Sequence, residues 1–129
     1  AIVGFDVRAL PVWPRGVERV KISLMGEQPD ATVMIDYQDA NGYTQLTLLA
    51  SRDPNFEKIG ATAAVESVLV GGVPGEYVEG AWVGNGATSR WDPAFPVSSL
   101  SWQLETGHYR LRSSAFTKEQ LVELGASLR

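Results

Sequence analysis

The closing stretch, Ser98 to Leu128 (SSLSWQLETGHYRLRSSAFTKEQLVELGASL), constrains the fold more than any other part of the chain. Leu100, Trp102 and Leu104 fall on one side of an alternating run. Tyr109 and Leu111 return on the same side across Glu105-Thr106-Gly107, while Ser101, Gln103, His108, Arg110 and Arg112 take the other. A period of two is the repeat of a strand with one buried face, so this run predicts an antiparallel hairpin. The period then changes. Thr117 followed by Gln120 is a capping box, in which hydroxyl and amide satisfy the backbone N–H groups exposed at a helix start. Phe116 and Leu121 are spaced for a hydrophobic staple across that cap, and Leu121, Leu124, Gly125 and Leu128 form one helical stripe. Glycine costs about 1 kcal/mol inside a helix, so Gly125 predicts a close approach of helix to sheet. A hairpin feeding straight into an amphipathic helix points to a sheet with the helix folded on one face.

The remaining chain reads as further strands. Residues 1–16 form an extended lead-in, because Pro11 and Pro14 fix φ and bias their predecessors toward extended backbone. From Val17 onward Val20, Ile22 and Leu24 alternate with Arg19, Lys21 and Ser23. After a break at Gly26–Asp30, Val33, Ile35 and Tyr37 alternate with Thr32, Met34 and Asp36. Asn41-Gly42 is a strong hairpin signal and returns the chain into a third strand, Tyr43 to Ala50, with Leu46 and Leu48 on one face. Residues 51–62 connect onward, with a short helical turn around Phe56 and Ile59. A fourth strand spans Ala64–Val70, GGVPG (71–75) turns the chain, and a fifth spans Tyr77–Val83. Residues 84–97 form the one sizeable loop, and a loop of that length in a compact domain is usually functional or mobile. The sum is an α+β domain, with a curved, mainly antiparallel meander sheet of about seven strands and a C-terminal helix on one face. Trp13, Trp82 and Trp102 are expected in the core.

With 129 residues this is a single domain, able to bury roughly two-thirds of its unfolded surface. Net charge is −4, which argues against nucleic acid as a partner, since that surface is held by clustered Lys and Arg. There is no cysteine, so thiol nucleophiles, disulfides and thiolate metal sites are excluded. No apolar run reaches the roughly 18 residues of a membrane span, and no signal peptide is visible. The chain opens at Ala1 rather than Met, which suggests a piece of a longer protein; any targeting segment would then lie upstream.

Several segments together resemble the family known as domain of unknown function 4367. They are Leu10-Pro11 with Pro14 and Gly16, Val68-Leu69-Val70-Gly71-Gly72, Leu100-Ser101-Trp102, Tyr109-Arg110-Leu111, and the closing helix from Leu121 to Ser127-Leu128. The resemblance spans most of the chain and is specific over its last third. Two features depart from the pattern: Gly125 stands where that family has Ala, and the 84–97 loop is longer. The resemblance implies an extracytoplasmic domain at the C-terminus of bacterial lipoproteins or membrane-anchored proteins, some similar to anti-sigma regulators. It brings no catalytic residues, and no cofactor is expected.

Candidate chemistry is sparse. His108 is the sole histidine, so any Ser-His-Asp arrangement must run through it, yet a polar strand position explains it as well. Asp39-x-Asn41-Gly42 resembles the start of a calcium loop but lacks the bidentate Glu after the glycine; a hairpin turn accounts for the same residues, and no metal is expected. Gly84-Asn85-Gly86 is a fragment of a phosphate loop without its third glycine or following helix. Arg110 and Arg112 could present an anion-binding strip, although a solvated strand face needs the same polarity. The loop with Arg90, Trp91 and Phe95 is the leading interaction candidate, because aromatic side chains on a surface loop make rigid anchors. Its alternative is to fold back and cap the sheet. The expectation is therefore a non-enzymatic binding or sensing domain outside the cytoplasmic membrane. Its ligand would be a protein, peptide or lipid, and an upstream anchor would keep it near the membrane. The alternatives are a hydrolase with an unrecognised site and a structural accessory domain.

Overall fold

The computed structural model describes residues 9–25, 32–52, 65–84, 89–104 and 107–128. Alternation in the sequence becomes continuous rows once strands pair. The strands are β1 (Arg19–Met25), β2 (Thr32–Gln38), β3 (Thr44–Ser51), β4 (Val65–Val70), β5 (Val73–Glu79), β8 (Ser98–Leu104) and β9 (Gly107–Ser113). They form one antiparallel sheet in the order β1-β2-β3-β9-β8-β5-β4. One row crosses all seven strands: Ile22, Ile35, Leu48, Leu111, Leu100, Tyr77 and Glu66. The next row on that face holds Leu24, Val33, Ala50, Tyr109, Trp102, Gly75 and Val68. Leu48, Ala50, Leu100 and Leu111 at the centre are fully buried.

The α+β class, the antiparallel seven-stranded sheet and the C-terminal helix, the one helix among the described residues, agree with the sequence. The order adds that the closing hairpin β8–β9 sits in the middle, between β3 and β5. The strongest apolar alternation in the chain thereby takes the position covered best. Strands β1 and β4 form the sheet's two edges, and at the first of them Ile22 and Leu24 are exposed although they lie in the core-facing rows.

Helix α1 spans Lys118–Ala126 and packs on β4 and β8. Both halves of the capping box form: Gln120 N–H donates to Thr117 Oγ1 at 3.2 Å, and Thr117 N–H donates to Gln120 Oε1 at 2.8 Å. Leu121, Gly125 and Leu128 are buried, and Phe116 and Leu124 pack against the same cluster. A Cβ on Gly125 would lie 2.9 Å from Val70 Cγ1 and 3.0 Å from Trp102 Cη2. The predicted close approach is real.

Five expectations need correction. First, the fifth strand runs Val73–Glu79 rather than Tyr77–Val83. Gly71 and Gly72, both at positive φ, make the two-residue hairpin turn alone, which frees Val73-Pro74-Gly75 to pair, and Gly80 at φ +114° ends the strand. Second, the stretch 84–97 is not one loop. Arg90–Asp92 form β7, paired with β6 (Ala81–Val83) in a separate two-stranded ribbon. Third, Trp13 and Trp82 are about half exposed, at 48% and 51%. Trp13 belongs to the lead-in and Trp82 to the ribbon, so neither lies in the sheet. Trp102 is core as expected. Fourth, the lead-in is not uniformly extended, for Val17 N–H closes a turn on the Pro14 carbonyl, with Gly16 at φ +91°. Leu10 and Val17 are buried on either side of it.

Fifth, the polar face of the sheet is not simply solvated. Leu49, Ser51 and Val78 on that side are buried, and Arg110 is 7% exposed. The sheet is covered on both sides at its centre. The expected helical turn at Phe56 and Ile59, the Gly26–Asp30 break, the Glu105-Thr106 turn residues and most of Gly84-Asn85-Gly86 lie outside the described residues.

Candidate functional site

Asp92 organises the loop that leads into β8. Its Oδ1 accepts from Ala94 N–H at 2.9 Å and its carbonyl accepts from Phe95 N–H. Asp at the first position and Pro93 at the second are the residues a type I turn favours. Val97 N–H then closes on the Phe95 carbonyl across Pro96, a three-residue turn whose centre suits proline's fixed φ. Gly80 N–H donates to the Val97 carbonyl at 2.8 Å, tying the loop to the end of β5. A Cβ on Gly80 would lie 2.5 Å from the Asp92 carbonyl oxygen and 2.8 Å from Pro93 Cα. With its positive φ, this position requires glycine.

The loop so fixed forms one wall of an open cleft of about 390 Å³. Pro93 to Val97 line it together with Ser113, Ser114 and Phe116, and Glu79 and Ser98 also line it. Phe95 is 41% exposed there. Ser113 holds the second lining segment. Its hydroxyl donates to the Gln45 carbonyl at 2.6 Å and accepts from Ala115 and Phe116 N–H groups at 2.9 and 3.1 Å. Those contacts set where the chain leaves β9 for the helix.

Glu79 is the one ionisable group lining the cleft among the described residues. Tyr77, two residues earlier and 8% exposed, places its hydroxyl 3.0 Å from Glu79 Oε2 and 3.0 Å from Ser98 Oγ. A phenol has one proton, so it donates to the carboxylate and Ser98 donates to it. Burial pushes the Tyr77 hydroxyl above its ordinary value of 10.0; the Ser98 contact opposes this and the Glu79 carboxylate adds to the rise. Tyr77 therefore stays a proton donor and holds Glu79 in place. On its other side Lys118 lies 5.9 Å from the Tyr77 ring centroid and pairs with Glu66, a contact that raises the lysine above its usual range.

The sequence candidates are dispersed. Phe95 lines the cleft. Trp91 stands in β7, paired with Trp82 in an edge-to-face contact at 5.8 Å and 86°; its indole N–H is buried and has no hydrogen-bond partner among the described residues. It lies so close to Gly80 that a Cβ there would be 3.1 Å from Nε1. Trp91 thus folds back while Phe95 stays out. Arg90 is exposed at the start of β7, opposite Val83.

Arg110 and Arg112 sit on the sheet face away from Ser113, opposite Leu49 and Thr47 of β3 and Ser101 and Ser99 of β8. Arg110 is buried and Arg112 half-buried, and both interact within the chain. His108 shares their face, opposite Ser51 and Gln103. It is five residues from Ser113 along β9, roughly 17 Å at strand rise, and does not converge with Glu79. Asp39 serves its turn: Oδ1 accepts from Asn41 and Tyr43 N–H groups and Oδ2 from the Gln45 amide.

Glu79, Ser98 and Ser113 were not singled out from sequence, and Phe116 was marked only as half of the helix staple. Each reads there as an ordinary strand or staple position, and what gathers them is the placing of β9 beside β8 and β8 beside β5. No protein family, curated protein or solved structure matches this chain.

Proposed function

We propose that this chain is a non-enzymatic binding or sensing domain that takes a peptide segment of a partner protein in the cleft beside Phe95. The observation that carries this reading is the form of the cleft itself. A partly exposed aromatic ring stands on a loop held by Asp92, Pro93, Pro96 and Gly80, and a second lining segment is pinned by Ser113. Rigid aromatic anchors give contact area at small entropic cost, which is why they dominate binding surfaces. The resemblance to domain of unknown function 4367 supports an extracytoplasmic setting, in a lipoprotein or an anti-sigma-like membrane protein.

Peptides selected from a random library on the immobilised chain, then titrated against Phe95→Ala, test the site. Binding is expected to weaken about tenfold or more, the scale of an anchor residue, with unchanged Tm. Equal binding at equal Tm removes the cleft as the site. Protease accessibility of the full-length gene product in intact spheroplasts tests the setting, and complete protection would overturn it.

A further inference from the structure

The walls of the cleft differ in what hydrogen-bonding capacity they have left, and that difference selects the ligand. An anion would need N–H or O–H donors, and nearly all of them are already used. Pro93 and Pro96 have no N–H. The Ala94, Phe95 and Val97 N–H groups are spent on Asp92 and Phe95 within the loop. Phe116 N–H is spent on the Ser113 hydroxyl, whose own proton goes to the Gln45 carbonyl. The Ser98 hydroxyl is engaged with Tyr77. Of the lining side chains, Ser114 alone keeps an uncommitted hydroxyl among the described residues.

Acceptor capacity is in contrast available. Glu79 takes one hydrogen bond, from Tyr77, on Oε2, whereas a carboxylate has about four lone-pair sites. No cation pairs with it among the described residues. Phe95 and Phe116 border the same space, and aromatic faces attract cations through the ring quadrupole.

From this inventory we infer that the cleft binds a cationic side chain, the ammonium or guanidinium of a peptide Lys or Arg, with Glu79 as its counter-charge and the Phe95–Phe116 walls around its stem. This rests on the cleft being the binding site. Tyr77 positions Glu79 for the task, and the aliphatic stem of a lysine or arginine suits apolar walls that end at a charge.

Titration of the ¹⁵N-labelled chain with N-acetyl-lysine methylamide, followed through backbone amide shifts, tests the inference. The isosteric norleucine amide and the glutamate amide serve as comparisons, and n-butylammonium separates a free amine from one carried on a peptide unit. The lysine amide is expected to move the amides of Glu79, Ala94, Phe95, Val97 and Phe116, and to bind more tightly than n-butylammonium. Glu79→Gln, which keeps the contact with Tyr77, should weaken it about fivefold without changing Tm. Raised salt should weaken the wild-type interaction. Binding of the glutamate amide as tight as that of the lysine amide, or an unchanged affinity in Glu79→Gln, overturns the inference. Equal binding of norleucine and lysine amides also overturns it while leaving the cleft as a binding site. No shift with any probe removes the cleft reading as well. Binding of n-butylammonium as tight as that of the lysine amide would leave a cation site and overturn the peptide as its source.

Discussion

Gly125 shows how one residue can oppose its own secondary structure and still be needed. Alanine there would gain up to about 1 kcal/mol of helix propensity. Its methyl would also press to 2.9 Å from Val70 and 3.0 Å from Trp102, both buried and neither able to swing aside. Overpacking of this kind costs about 1–3 kcal/mol, so Gly125→Ala should destabilise the fold by about 1 kcal/mol net. A lowered urea midpoint checks this; a raised one would mean that the helix can lift from the sheet at no cost. The sequence showed that Gly125 was out of place in a helix, and the structure supplies the two side chains that explain it. Gly80 left no such signal, because its constraint comes from Asp92 and Pro93, twelve and thirteen residues away.

At the scale of elements, the helix is nine residues long, too short to be stable alone. It depends on its cap and on the face it buries. Removing the hydroxyl in Thr117→Ala should cost about 1 kcal/mol, read from chemical denaturation. Because Phe116 precedes the cap and lines the cleft, amide shifts should also spread to Ser114 and Phe95. Shifts confined to the helix would mean that cleft wall and cap are independent. The capping box, the closing hairpin and the strand periods were all legible, since each depends on neighbours within a few residues. The β6–β7 ribbon was not, because three-residue strands carry too little alternation to stand out among Gly and Pro.

Across the whole molecule, two tyrosines couple stability to pH. Burial raises Tyr37 above its ordinary 10.0, with a Leu10 N–H contact opposing, and burial likewise raises Tyr77. A raised folded value means that the folded state keeps its phenolic protons after the unfolded chain has begun to lose them. The contribution is therefore fully present below pH 10 and is lost as pH rises through the folded values. Tm should fall above pH 10, and Tyr37→Phe should lessen the fall while losing the Leu10 contact. A Tm that stays level while the phenols titrate would contradict this. The two groups lie in different parts of the sheet, Tyr37 on β2 beside the lead-in and Tyr77 on β5 beside the cleft. Alkaline opening should thus loosen both regions.

The sequence by itself determined the class of the domain, the face each residue of the closing hairpin presents, the helix cap and the tight helix–sheet contact. Those follow from period, capping and glycine cost, which act over short stretches of chain. Tertiary structure alone decided the strand order, the burial of Arg110 on a face that alternation marked as polar, and the meeting of Glu79, Phe95, Ser113 and Phe116 in one cleft. The physical reason is distance along the chain. A period of two says which side a residue takes, whereas the neighbouring strand is chosen by the free energy of covering the sheet as a whole.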